Sequence, residues 1–411
     1  MNTSETAQQP IKSTRLPFVF ILITLTLDAM GIGLILPVMP DLIREVSGGT
    51  LGTAAIWGGI LATTFAVMQF VFGPVLGSLS DRFGRRPVLL ISLFVMAVDY
   101  LVMALAGTIW LLLLTRVVGG ITAATQSTAA AFIADISAPE KKSANFGLIG
   151  AAFGIGFVLG PAIGGLLAEF GTRAPFYAAA SLAAMNLVLG YFVLPETVTD
   201  AIRRPLDWRR ANPLGALLQI SKLKGVTALL TLFFVYEFAF IVYPATWAYF
   251  TQERFGWAPS MVGVSLASFG ISMVIVQGFL IRWVIPKFGE VNTIIYGFIF
   301  NGLAFVFLSS VSLGWLVLAF TPVTAFGAVV TPALQGLMSR AAGADQQGEL
   351  QGVIASAKSL AMILAPLVLT WLFYYFTDDV GIYLPGAAFA LSAALMVLCF
   401  FVFLGWRRGQ S

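Results

Sequence analysis

The sequence predicts an all-α membrane protein of twelve transmembrane helices arranged as two six-helix halves. Three observations predict it: a scarcity of charge, the number of helix-length apolar runs, and one long polar segment that divides those runs six and six. Of 411 residues, 59% are hydrophobic and 10% are charged, whereas a soluble domain carries roughly 25% charge. A chain with mean hydropathy +0.92 cannot cover a water-facing surface, so lipid must be its solvent. The single cysteine, Cys399, excludes a disulfide framework and a zinc or iron–sulfur cluster, and the absence of histidine removes the commonest metal ligand. Neither a metal nor a cofactor is expected. With no nucleotide-binding glycine loop and no extramembrane catalytic domain, neither an enzyme nor an ATP-driven pump is expected.

A helix needs about 20 mostly apolar residues to cross the hydrocarbon core. Such runs fall near 17–38, 52–76, 87–106, 109–134, 144–168, 174–194, 226–250, 260–285, 291–311, 313–338, 350–376 and 382–405. They are continuous rather than alternating and rich in Gly, Ala and Leu, the pattern of spanning helices and not of a barrel. The first run is too long for a signal-peptide core and no small-residue cleavage site follows it, so it reads as a first membrane helix. The polar segment 195–225, with six basic residues, separates an N-terminal half, 1–194, from a C-terminal half, 226–411. The halves echo each other: Phe83-Gly84 recurs as Phe288-Gly289, Gly147 as Gly352 and Pro161 as Pro366, each 205 residues later. Two parallel repeats would produce that.

Placing both termini in the cytoplasm puts 18 of the 23 Lys and Arg on that side. Arg44, Arg173 and Arg254 fall outside, and Arg116 and Lys358 fall within helices. The positive-inside rule therefore gives cytoplasmic termini. The pI near 9.2 reflects topology, and no nucleic-acid partner is expected.

Three segments carry the motifs. Residues 73–90, GPVLGSLSDRFGRRPVLL, form the loop after the second helix. Its glycines, Gly77 and Gly84 among them, permit a sharp turn. Asp81 with Arg82, Arg85 and Arg86 can form a charge latch that biases a two-state motion. The bland alternative is a topogenic basic loop. In the fourth helix, Arg116 reads either as a residue of the proton or substrate path or as a side chain snorkelling to the nearer interface. Gln126, farther along the same helix, is a candidate residue of the substrate cavity. In the fifth helix, Gly156, Gly160-Pro161 and Gly164 make a grooved face on a softened helix, which suits close packing in any case.

These motifs resemble those of the major facilitator superfamily. DRxGRR is its loop signature, and GxxxGPxxGG in the fifth helix is the antiporter motif of its drug exporters. LDAMGIGLILPVMPDL (27–42), the Asp99-Tyr100 pair, RVVGGITAAT (116–125), FIAD (132–135), PATW (244–247), RFGW (254–257), PALQGLMS (332–339) and QQGELQG (346–352) resemble the tetracycline-efflux subfamily along nearly the whole chain. The resemblance implies the major facilitator fold, a proton-coupled exporter in a bacterial inner membrane working as a monomer, and roles for Asp28, Asp99 and Arg116 in substrate handling and proton coupling. Two features depart from the subfamily. Where its tetracycline exporters carry an acid in the ninth helix, Asn301 stands here, and the histidine common in their second half is absent. A neutral Asn cannot bind and release a proton. The proton route then falls to Asp28, Asp99 or Glu237, or coupling differs.

The remaining intramembrane charges are Glu237 in the seventh helix and Lys358 in the eleventh. Ionisable groups inside a membrane are by default functional candidates, against the alternative of a structural hydrogen bond or ion pair. The depths of Glu237 and Lys358 differ by about 5 Å along their helices, which makes them a candidate pair. The seventh helix is aromatic. Tyr236, Phe240 and Tyr243 read either as the wall of a substrate cavity near Glu237 and Asn301 or as lipid-facing residues, with Trp247 and Tyr249 in an interfacial belt. An aromatic wall with a few acids suits a flat amphipathic solute, cationic if the cavity reading holds. The partners expected are therefore a small molecule, protons and the lipid bilayer. Two rivals stand beside the drug exporter: an exporter of an endogenous metabolite or siderophore, and a membrane sensor that binds without transport.

Overall fold

The computed structural model describes residues 15–409 apart from 124, 201–202, 204–214, 216–224, 344–345 and 380–381, so most of the segment 195–225 lies outside the described residues. Among the described residues every regular element is helical. In order these are α1 (Arg15–Ile35), α2 (Leu51–Phe83), α3 (Arg85–Leu105), α4 (Ile109–Ile136), α5 (Lys142–Leu167), α6 (Ala174–Val193) and α7 (Thr227–Phe255). A stretch from Pro259 to Ser310 then runs for 52 residues. At 1.5 Å per residue it would measure roughly 78 Å, more than twice the hydrocarbon thickness of about 30 Å. Gly289, at φ 74°, breaks it into α8 (259–288) and α9 (290–310). α10 (Gly314–Ala341), α11 (Gln347–Tyr374) and α12 (Ala387–Arg408) complete twelve apolar spans.

Two boundaries and two helix interiors differ from the sequence reading. α2 continues to Phe83, so residues 73–83 of the expected loop are helix and Gly77 lies in its interior. The turn shrinks to Gly84, whose φ of 113° disfavours any L side chain. α1 stops at Ile35, because Pro37 removes a donor and biases Leu36 away from helix. A short helix, Met39–Ser47, follows outside the span, with Pro40 in its first turn. α4 is interrupted at Ala123, and α10 tightens at Ala325–Val329.

Glycine positions decide the packing. Gly156, Gly160 and Gly164 recur every fourth residue on α5, and a Cβ on each would run into the carbonyl oxygens of Thr26, Met30 and Leu34, every fourth residue of α1. Backbones in such proximity gain dispersion contacts, the main source of helix association in lipid. A second face of α5, at Pro161 and Gly165, meets Gly263 and the Pro259-Ser260 backbone of α8. α2 meets α11: Thr63 donates to the Ile363 carbonyl at 2.8 Å, Gly59 fits against Pro366 and Thr370, and Thr50 donates to Asp378. Gln252 of α7 donates to Asp41 of the short helix at 3.2 Å. All these contacts between the first six helices and the last six lie toward one end. Toward the other, Gly73 and Gly77 of α2, Gly147 and Gly150 of α5, Gly278 of α8 and Gly348 of α11 face open space. Among the described residues the bundle is closed at the Asp41 end and open at the Gly84 end.

Candidate functional site

Within the first six helices the costly charges are paired. Arg116 of α4 donates from a terminal guanidinium nitrogen to Asp99 Oδ2 of α3 at 2.7 Å, with side chains 11% and 7% exposed, and its guanidinium lies 5.5 Å from the Phe65 ring of α2. Snorkelling is thereby corrected: Arg116 turns inward, because Asp99 offsets part of the cost of burying its charge. Asp28 of α1 is half-buried and has no hydrogen-bond or ion-pair partner among the described residues. Gly31, about one turn farther along, abuts the Tyr100 hydroxyl, which lies within electrostatic reach of Asp28, Asp99 and Arg116. Asp28, Asp99 and Arg116, far apart in sequence, thus all lie within electrostatic reach of one tyrosine. Gln126 is exposed on the second part of α4.

The last six helices depart further from expectation. Glu237, 8% exposed, accepts a hydrogen bond from Thr331 Oγ1 of α10 at 2.8 Å. Lys358 is exposed, and among the described residues no ion pair joins it to Glu237. Of the expected cavity wall, Tyr236, Tyr243 and Asn301 are 1%, 5% and 0% exposed. In this conformation they are packed core rather than an open surface. The seven-residue spacing of Tyr236 and Tyr243 puts both on a face that neighbouring helices cover: Tyr236 packs on Phe298 of α9, and Tyr243 on Phe269, Phe305 and Phe389 of α8, α9 and α12. Asn301 Nδ2 and the Tyr236 hydroxyl both donate to the Gly327 carbonyl, at 2.9 and 3.3 Å. Phe240, stacked on Tyr236, keeps partial exposure. Trp247 and Tyr249 are buried as well, and the indole donates to Ser265 Oγ at 2.9 Å. They are not an interfacial belt.

At the open end the latch residues have partners the sequence reading missed. Arg85 pairs with Asp81 at 2.5 Å and with Asp135 of α4 at 3.2 Å, and also donates to Ser80. Glu196, just past α6, accepts from the backbone N–H groups of Arg85 and Arg86 at 2.9 and 3.3 Å. A carboxylate there caps the α3 N-terminus and answers its dipole. Arg86 donates to the Tyr191 carbonyl and lies over its ring, while Arg82 lies over Phe83. All these partners belong to the first six helices, so in this conformation the cluster ties α2, α3 and α4 together rather than one half to the other. Counting 205 residues on from Arg85 and Asp135 gives Glu290 and Arg340, which also pair. The arrangement repeats with its charges exchanged, beside Gly289 where the first half has Gly84. The offset already visible in Phe83-Gly84 and Phe288-Gly289, extended by one residue, points to this second pair.

Comparison with known proteins agrees with this architecture. A family model described as Major Facilitator Superfamily matches residues 21–366 and 228–410. The chain is 41% identical over 381 residues to the tetracycline resistance protein, class C, of Escherichia coli, covering 93% of this chain and 94% of that one. It is 36% identical to the class B protein of Escherichia coli, covering 92% and 94%, and 28% identical to multidrug resistance protein 2 of Bacillus subtilis, covering 98% of each. Among solved structures, the human organic anion transporter MFSD10 superposes with a TM-score of 0.68 at 26% identity, covering 96% of this chain and 100% of that one. The nucleoside transporter NupG superposes at 0.73 with 14% identity, covering 95% and 99%, a likeness of fold alone.

Proposed function

This chain belongs to the major facilitator superfamily and is a multi-pass membrane transporter rather than an enzyme, and from that premise we propose that it exports an amphipathic small molecule by proton antiport. Tetracycline-type drugs are the first substrates to test, given the names of its relatives. The observation that carries the reading is the unpartnered Asp28 beside the buried Asp99–Arg116 pair, in a bundle closed at one end and open at the other. With both termini in the cytoplasm of a bacterial inner membrane, as the basic loops favour, the open end faces the cytoplasm.

In the proposed cycle, solute enters from the cytoplasm between two rigid halves, 1–194 and 226–411, linked by 195–225. The halves then rock so that the Gly84 end closes and the Asp41 end opens. A proton from outside binds Asp28 and favours solute release, and its discharge into the cytoplasm resets the carboxylate. Arg116 pairs with Asp99 and holds it in place, leaving the unpaired Asp28 as the exchanging acid of this half. The protein acts as a monomer, since each chain carries its own path. The test uses proteoliposomes with an imposed pH gradient and tetracycline. Wild type moves drug against the gradient, and Asp28→Asn, which keeps shape and hydrogen bonding, loses the gradient-driven part. Full gradient-driven transport by Asp28→Asn at normal incorporation would refute the assignment.

A further inference from the structure

Two basic residues lie deep in the spanning helices. Arg116 is neutralised by Asp99. Lys358 has no acceptor within hydrogen-bond or ion-pair distance among the described residues. It stands eleven residues beyond Gln347, the first residue of α11, roughly 16 Å along the helix, within the depth of the hydrocarbon layer. An ammonium group at that depth is costly unless it reaches water or an anion. Glu237 does not serve, because among the described residues its carboxylate meets Thr331 and forms no ion pair with Lys358.

The direction of the side chain follows from helix periodicity. Gln351, Ala355, Lys358 and Met362 recur at spacings of four, three and four, so they share a face of α11 that continues upward through Leu369 and Phe373. Leu369 and Phe373 are fully buried, and Phe373 packs on Tyr249 of α7 at 6.3 Å, where Tyr249 itself abuts Gly58 of α2. The four lower residues are exposed. One face is therefore covered at the closed end and uncovered at the open end, on the side where Gly73 and Gly77 of α2 also meet nothing. Lys358 consequently opens into the space between the halves and not onto lipid.

We propose that Lys358 is an anion-recognition site of the translocation path, taking a single anionic oxygen, as of a carboxylate or sulfonate, on an amphipathic solute. This rests on reading the chain as a small-molecule transporter. A compact ammonium suits one anionic oxygen better than a bidentate fork. The apolar side chains of Ala355 and Met362 on the same face receive the hydrocarbon body. In the cleft, attraction between the ammonium and the anion is stronger than in bulk water, because the local dielectric constant is lower. A lipid headgroup would offer the same anionic oxygen, so the test membrane contains phosphatidylcholine only.

The experiment measures equilibrium binding of two fluorescent probes, anionic carboxyfluorescein and cationic ethidium, to the purified full chain in phosphatidylcholine nanodiscs. Wild type binds carboxyfluorescein. Lys358→Met weakens it by about tenfold or more, the scale of one charged hydrogen bond, leaves ethidium within about twofold, and Lys358→Arg restores most of the loss. Failure of wild type to bind carboxyfluorescein, unchanged binding by Lys358→Met, or equal loss of both probes would overturn the proposal. pH-driven tetracycline flux by wild-type proteoliposomes is measured in parallel. Absent flux with anion binding intact rejects the exporter reading alone, and normal flux with no anion binding rejects this site alone.

Discussion

Replacing Gly160 with alanine places a methyl carbon 2.6 Å from the Met30 carbonyl oxygen and 2.8 Å from the Gly33 Cα. Ordinary contacts begin near 3.4 Å, and both neighbours are backbone, so no rotamer change relieves the clash. α1 and α5 must separate by roughly 0.8 Å along their shared glycine seam, and overpacking of this kind costs about 1–3 kcal/mol. Gly150, ten residues earlier on the same helix, faces open space. There alanine meets no neighbour and removes the glycine penalty of a helix interior, about 0.5–1 kcal/mol. One substitution on one helix thus acts with opposite sign at two positions. Thermal melting of the purified variants in detergent, followed by tryptophan fluorescence, checks it. Gly160→Ala melts below wild type and Gly150→Ala at or above it, and Gly156→Ala and Gly164→Ala behave like Gly160→Ala. If Gly160→Ala melted with wild type, or the Gly150 and Gly160 variants shifted in the same direction, the packing argument would fail.

Asp99→Asn strands the buried Arg116 charge and costs about 3–5 kcal/mol, read as a loss of folded yield and melting temperature. The double variant Asp99→Asn/Arg116→Gln recovers much of that loss, and simple additivity of the two single variants would argue against the pair. Asp81→Asn removes one of the two carboxylates on Arg85 and lowers tetracycline turnover while equilibrium binding survives. Unchanged accessibility of cysteines introduced at Gly73 and Gly150 would count against a role for Asp81 in conformational balance. Asp41 lies outside the spans, and burial pushes its carboxyl above the usual range, against the opposing pull of Arg44 and Gln252. The folded state then binds that proton more tightly than the unfolded one. Its contribution to stability is fullest at acid pH and declines as pH rises through the raised value. Asp41→Asn removes that segment of the pH–melting profile, and an unaltered profile would refute it.

The count of spans was legible because lipid leaves little latitude: each crossing needs a helix-length apolar run, and the segment 195–225 breaks the series once. The end of α2 was not. GPVLGSLSDRF has the composition of a turn, yet Arg85, held by Asp81, Ser80 and Asp135, anchors the helix to its final residue, and such tertiary contacts override local propensity. Asp28, Asp99, Arg116 and Glu237 stood out because a charge in hydrocarbon is costly enough to demand a reason. Which way a helix faces could not be read from one sequence. Tyr236 and Tyr243 fit a cavity wall as well as a core until the rings of Phe298, Phe305 and Phe389 are seen against them. Asp135 and Glu196 carried no periodic signal, whereas Glu290 and Arg340 were readable from the 205-residue offset.

The two faces of α5 explain how one helix can serve both a rigid half and a separable interface. Toward α1, three glycines meet three carbonyls over more than two turns, and the side-chain atoms between them, Ala29 Cβ and the Pro161 ring, have no rotamers to change. Tight backbone contacts of this kind resist sliding, because interiors packed to this density do not deform continuously. Toward α8 the closest backbone approach is at Pro161 and Gly165, and farther along the contact passes to the side chains of Val158 and Val274, against Gly270 and Gly154. The other links between the first six helices and the last six at the closed end include the hydrogen bonds Thr63–Ile363, Gln252–Asp41 and Thr50–Asp378. Each such bond contributes roughly 0.5–3 kcal/mol net and is readily exchanged for water. Units stiff within and weakly joined between are what a rocking motion requires. Under the proposed rocking cycle, the glycines of the α5 motif would act less by lining a path than by holding α1 and α5 together as one body.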